Sequence, residues 1–123
     1  MIQDNFARHT DHEIINDEQF EEMRDLLEED FADLVQSYIT DSQNRLLQLR
    51  TAQANNDNAN GFEVAHALKG ASATLGATHL AAISSQLQEV CRSNTISQHA
   101  DTIEQAAIAL QLVEQEIHQR LGQ

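Results

Sequence analysis

The sequence predicts an all-α protein, built as an up-and-down antiparallel four-helix bundle with a short additional N-terminal helix. Three observations predict this fold. The 123 residues include no proline and only four glycines, a composition that favours helices. Apolar residues recur at steps of three or four, which is the period of an amphipathic helix. The segments between these stripes are short, so consecutive helices pack as antiparallel neighbours.

The chain divides into an arm and one domain. Residues 1–13 contain few apolar groups, and we expect them to form a flexible N-terminal arm. Residues 14–123 form the helical bundle domain and contain no internal repeat or linker that would separate a second domain. A domain of this length can bury a hydrophobic core without disulfides or metals.

The short first helix begins within "IINDEQFEEM". Asn16 can cap it, and Gln19 stands three residues later, at the spacing of a capping box. Ile15 and Phe20 have the spacing of a hydrophobic staple, in which two apolar side chains fix the direction of chain entry. These signals predict a helix over about residues 17–27.

Four longer helices complete the predicted bundle. The loop "NNDNANG", residues 55–61, separates the second helix from the third, which Asp57 or Asn58 can cap and Gly76 ends. The segment "RSNTIS" separates the fourth helix from the fifth. The apolar stripes comprise Phe31, Leu34, Val35, Tyr38, Ile39, Leu46 and Leu49 on the second helix, Leu80, Ile83, Leu87 and Val90 on the fourth, and Ile103, Ala106, Leu110, Val113, Ile117 and Leu121 on the fifth.

Charge and cysteine content restrict the function classes. The formal net charge is −13, which argues against nucleic acid and anionic membranes as partners because binding to phosphates requires a basic face. No apolar stretch approaches the length of about 20 residues that a membrane span needs, and none resembles a signal peptide. The single cysteine, Cys91, cannot form an internal disulfide. We therefore expect a cytoplasmic protein.

The third helix carries the most informative segment, "AHALKGASATLGA", residues 65–77. At about 100° per residue, His66 lies roughly 140° from the centre of the apolar arc, so its imidazole points outward. Lys69 and Gly70 follow one turn later on the neighbouring surface. Gly70 costs about 1 kcal/mol of helix propensity relative to Ala, and its position outside the apolar arc supplies no internal packing reason for that cost.

These three residues suit a reaction at the imidazole. A neutral imidazole is a nucleophile. If it accepted a phosphoryl group, the ammonium of Lys69, the only lysine of the chain, would offset the new negative charge. The missing side chain at Gly70 would leave room for a large partner to approach His66.

The segment "HALKGASATLGA" closely resembles the signature of histidine-containing phosphotransfer (HPt) domains, which reads approximately His-x-Leu-Lys-Gly-x-Ser-x-x-x-Gly-Ala. The resemblance extends over the helix order from about residue 17 to 121. Ala67 and Ala71 stand where many members have Ser, and neither is expected to touch the chemistry. The matching positions are His66, Leu68, Lys69, Gly70, Ser72, Gly76 and Ala77.

The resemblance implies that His66 carries a phosphoryl group on its outer ring nitrogen and relays it between aspartates of receiver domains. It also assigns Gln88 to a hydrogen bond with the active imidazole and Arg92 to a position near the phosphate. The implied partners are the receiver domain of a hybrid sensor histidine kinase and the receiver domain of a response regulator. Mg²⁺ is expected only in the receiver, so this chain needs no cofactor. We expect a monomeric phosphocarrier. We expect no ATP-dependent kinase activity, because the sequence contains no glycine-rich phosphate loop.

Two other function classes compete with this interpretation. A non-catalytic interaction module could bind a basic partner through its acidic first helices, since thirteen of the twenty acidic residues lie within residues 1–41. A metal site is weakly suggested by Glu63 and His66, which have the "ExxH" spacing of di-metal bundles, but no second copy exists. The arm segment "RHTDHE" is an equally weak metal candidate, with His9, Asp11, His12 and Glu13.

Overall fold

A computed structural model describes residues 13–122, and within that range every regular element is a helix. The five α-helices are α1 (Asp17–Leu27), α2 (Phe31–Ala54), α3 (Asn58–Leu75), α4 (Thr78–Arg92) and α5 (Ala100–Leu121). Single 3-10 turns, Glu28–Asp30 and Ile96–Gln98, precede α2 and α5. This arrangement confirms the predicted fold class and the predicted order of helices.

Helices α2 to α5 form the four-helix bundle. α3 packs against α2 and α4, and α5 packs against the same two helices from the other side of the core. α1 lies across α2 and α3, where Phe20 meets Phe31 edge to face at a ring-centroid distance of 5.1 Å. The largest fully buried apolar side chains are Phe20, Leu49, Leu68, Leu80, Leu87, Ile96, Ile103, Val113 and Ile117.

Three residues of the predicted apolar stripes lie at the margin of the core. Leu34 is exposed, and Val90 and Leu121 are half-buried. Leu34 stands roughly 80° from the centre of the buried arc of α2, at the edge where a helix turns from the core towards solvent. Periodicity therefore identified the correct face of each helix but overestimated its width.

The N-terminal end of α1 is held by α3 as well as by its own cap. Asn16 caps α1 as predicted, because its Oδ1 accepts a hydrogen bond from Gln19 N at 2.9 Å. The reciprocal half of the capping box does not form. Gln19 Nε2 donates instead to Thr74 O at 2.9 Å, and Asn16 N donates to Gly76 O at 2.7 Å. The unpaired carbonyls at the C-terminal end of a helix are strong competing acceptors, and here they tie α1 to α3.

The two ends of α3 follow the sequence signals. Asp57, rather than Asn58, is the N-cap, since its Oδ1 accepts from Asn60 N at 3.1 Å. Gly76 ends the helix in the left-handed conformation with φ +91°, and Ala77 N closes the turn on Ser72 O at 2.8 Å. A Cβ at Gly76 would also lie 3.0 Å from Gln19 Cβ, so both conformation and space require glycine there.

The predicted arm falls outside the described residues except for Glu13. The backbone oxygen of Glu13 accepts from His79 N at 3.0 Å, and its Oε1 accepts from Asn16 Nδ2 at 2.7 Å. The division of the chain into an arm and a domain stays a prediction. Within residues 13–122, no helix has the length and apolar character needed to cross a membrane.

Candidate functional site

The outward direction predicted for His66 is correct. His66 is exposed on α3, whereas its neighbours Ala65 and Leu68 are fully buried. The buried arc that fixes α3 in the bundle therefore also fixes the side from which His66 meets solvent.

Gln88 of α4 holds one nitrogen of the His66 ring. Its Nε2 lies 3.0 Å from His66 Nδ1. The Gln88 side chain is only 6% exposed, and its Oε1 is buried without a hydrogen-bond partner among residues 13–122. A buried amide has few alternative positions, so this contact restrains the orientation of the imidazole.

Arg92, one turn further along α4, reaches the site through an aromatic ring. Its Nη1 forms an ion pair with Glu89 Oε2 at 3.0 Å, and its Cζ lies 5.5 Å from the centroid of the Phe62 ring. The Phe62 ring in turn is parallel to the His66 imidazole, with an interplanar angle of 4° and a centroid separation of 6.4 Å. Arg92 and His66 thus both lie against the Phe62 ring, and no direct hydrogen bond joins them.

Lys69 and Gly70 lie on the exposed surface of α3, as predicted. Within the described part of the chain, Lys69 makes no ion pair or hydrogen bond through its side chain, so its ammonium is available to an incoming anion. A Cβ placed at Gly70 would have no atom within 4 Å. Internal packing therefore gives no reason for glycine at this position.

Sequence reasoning missed Phe62 and Glu89. Both carry a weak positional signal, since Phe62 stands one helical turn before His66 and Glu89 stands three residues before Arg92. Half-buried phenylalanines and i, i+3 ion pairs are common on helices, so neither signal separates a site residue from an ordinary one. Their relation depends on the way α3 and α4 pack.

Cys91 is a packing residue. It is buried in a small cluster with Ala52 and Ile96, and this burial raises the pKa of its thiol.

In the range 13–122, no three His, Cys, Asp or Glu side chains come together as a group that could hold a metal ion. His9, Asp11 and His12 of the proposed arm site lie outside the described residues.

Comparison with known proteins places this arrangement in a family. The family model "Hpt domain" matches residues 33–121, which include His66, Lys69, Gly70, Gln88 and Arg92. Among solved structures, the fold is similar to that of histidine-containing phosphotransfer protein B (HptB) from Pseudomonas aeruginosa PAO1. That match has a TM-score of 0.77 and 28% sequence identity, and it covers 88% of this chain and 96% of the other. Comparison with curated protein sequences gives no significant match.

Hpt domains are phosphocarriers rather than kinases, and they interact with receiver domains in phosphorelays. The helical bundle, the matched family model and the similarity to HptB agree with one another. We conclude that this chain belongs to the Hpt domain family and that its function is histidine phosphotransfer in a phosphorelay.

Proposed function

We propose that His66 is the phosphoacceptor and that Nε2 is the atom that carries the phosphoryl group. One observation carries this proposal. Gln88 Nε2 lies 3.0 Å from His66 Nδ1, while the ring as a whole is exposed. Because Nδ1 faces α4, Nε2 is the ring nitrogen left for a donor.

The Gln88 amide also suits the tautomer that the reaction needs. Nucleophilic attack requires a lone pair on Nε2, so the proton of the neutral imidazole must be on Nδ1. In the structure Gln88 Nε2 lies against Nδ1. With the amide turned by half a rotation, so that Oε1 faces the ring instead, Gln88 accepts a hydrogen bond from Nδ1–H.

The transfer step is an in-line displacement at phosphorus. The Nε2 lone pair of His66 forms the P–N bond while the P–O bond to the donor aspartate breaks, and the aspartate leaves as a carboxylate with the bonding electrons. The proton stays on Nδ1, opposite Gln88. Transfer to the next receiver reverses these changes, so this chain requires no general acid or base.

Lys69 and Gly70 assist from the exposed surface. The ammonium of Lys69 is placed one turn from His66 to offset the negative charge of the phosphoryl group, without accepting it. Gly70 has no side chain that would project beside the imidazole, so the active-site cleft of a receiver can close over His66.

The partners that fit this role are the receiver domain of a hybrid sensor histidine kinase and the receiver domain of a response regulator. The receiver supplies Mg²⁺ and the acidic pocket, and this chain acts in the cytoplasm as a monomer without a cofactor of its own. It has no ATP-dependent kinase activity. The receiver orients the phosphoryl group, whereas this chain supplies the His66 nucleophile in a restrained orientation.

Incubation with a phosphorylated receiver domain tests the proposal. We expect acid-labile, base-stable label on His66, located by mass spectrometry of peptides, and no label on His66→Gln. Label on a different residue would contradict the assignment of His66. Stable binding to receivers without transfer would favour the acidic interaction module instead.

A further inference from the structure

Phe62 is held more firmly than an ordinary surface phenylalanine. Its half-buried ring packs against the cluster formed by Ala52, Cys91 and Ile96. The preceding residue, Gly61, approaches this cluster so closely that an added Cβ would lie 2.6 Å from Ile96 Cδ1. The backbone of α3 therefore packs closely against α4 and the 3-10 turn at Gly61. This close packing restrains the Phe62 ring.

The fixed ring contacts two groups that matter to the reaction. The His66 imidazole lies parallel to it, and the Arg92 guanidinium lies near its centroid. An arginine with a side chain that is 63% exposed would otherwise sample many rotamers. A guanidinium packed on an aromatic ring loses that freedom before the phosphoryl group arrives.

Glu89 is the present ion-pair partner of Arg92, and this pair is easily exchanged. Both side chains are more than 60% exposed, and ion pairs of this kind contribute little because water screens them. A phosphoryl group carries more negative charge than a carboxylate and offers three acceptor oxygens. Arg92 therefore gains by leaving Glu89 when a phosphoryl group is present on His66.

We propose that Phe62 is a positioning residue for phosphoryl transfer, which holds Arg92 on the ring that lies parallel to the His66 imidazole, so that its guanidinium can exchange Glu89 for the phosphoryl oxygens. This proposal rests on the proposed role of His66 as phosphoacceptor. It makes Glu89 a competitor that keeps Arg92 paired in the unphosphorylated protein. The ring acts through Arg92 and takes no part in bond formation.

Phosphorylation by phosphoramidate tests the role of the ring without receiver docking. Phe62→Leu retains an apolar side chain but removes the aromatic face, and we expect labelling of His66 to slow by about two- to fivefold, the worth of an exposed cation–π contact. Phe62→Tyr keeps the face and should label at the wild-type rate. Ile96→Val is the matched control, because it loosens the same cluster without touching Arg92, and its labelling rate should not change.

A double-mutant cycle separates positioning from general loosening of the site. If Phe62 acts through Arg92, then Phe62→Leu combined with Arg92→Gln should label as slowly as Arg92→Gln alone. Glu89→Gln should accelerate labelling by about 1.5- to twofold, as expected for loss of a surface ion pair, and should have no effect when Arg92 is already Gln.

The outcomes distinguish this proposal from the one on which it rests. Wild-type protein that gains no label on His66 would overturn both. Wild-type label with an unchanged rate in Phe62→Leu would overturn only the role of Phe62. Rate losses that multiply in the Phe62→Leu, Arg92→Gln double variant would also overturn it, as would a slowed Ile96→Val control of similar size.

Discussion

Gly70→Gln is predicted to separate the stability of this protein from its ability to receive a phosphoryl group. Gly70 lies in the interior of α3, is exposed, and would present an added Cβ with no atom within 4 Å. An added Cβ therefore meets nothing in the isolated protein. It would meet whatever covers His66 during transfer.

The stability change follows from helix propensity alone. Replacing an exposed helical glycine with Ala stabilises a helix by about 1 kcal/mol, and Gln gives somewhat less. For a domain of this size, about 1 kcal/mol raises Tm by about 4 °C. Gly70→Ala and Gly70→Gln should therefore both melt at or above the wild-type temperature, as measured by circular dichroism.

The two variants should differ when the donor is a protein. A glutamine side chain forced into a packed contact costs about 1–3 kcal/mol, which is a loss of about 5- to 150-fold in transfer from a phosphorylated receiver. Gly70→Ala adds one methyl group and should lose much less. Phosphoramidate needs no docking surface, so it should label His66 in both variants at rates close to wild type.

Two results would refute this reasoning. Transfer from the receiver to Gly70→Gln at the wild-type rate would show that the partner does not approach over Gly70. Melting of Gly70→Ala well below wild type would show that glycine is needed for packing, against the open space around it. Neither result would change the assignment of His66, which the phosphoramidate arm measures separately.

The remaining predictions concern the acceptor, its charge partner and the turn that follows. His66→Gln should abolish labelling while changing the free energy of unfolding by less than about 0.5 kcal/mol, because His66 is exposed. A variant that chemical denaturation shows to be unfolded without denaturant would contradict this. Lys69→Ala should slow labelling by phosphoramidate more than Lys69→Arg does, since Arg keeps the charge, and equal rates in wild type and both variants would remove the role of Lys69. Gly76→Ala should destabilise the protein by about 1–2 kcal/mol from its left-handed conformation alone, with a further loss from the 3.0 Å approach to Gln19 Cβ; an unchanged urea midpoint would disprove the requirement for glycine.

The accuracy of the sequence prediction differed between the helices and their contacts. The α1 cap at Asn16 was predicted correctly because a cap is a local arrangement of four residues. The destination of the Gln19 side chain was not, because Thr74 O lies 55 residues away in the chain. The same distinction applies to Phe62 and Arg92, which are 30 positions apart and meet only where α3 packs on α4.

The sequence by itself determined the all-α fold, the helix order and the side of α3 on which His66, Lys69 and Gly70 lie. The period of apolar residues is enough for that, because burial of one face leaves the opposite face in solvent. The resemblance to Hpt domains also named Gln88 and Arg92, but only the tertiary structure decided that Gln88 lies against Nδ1 and that Arg92 lies on the Phe62 ring. Those contacts depend on the relative rotation and translation of two packed helices, which the fit of many core side chains sets and no local pattern encodes.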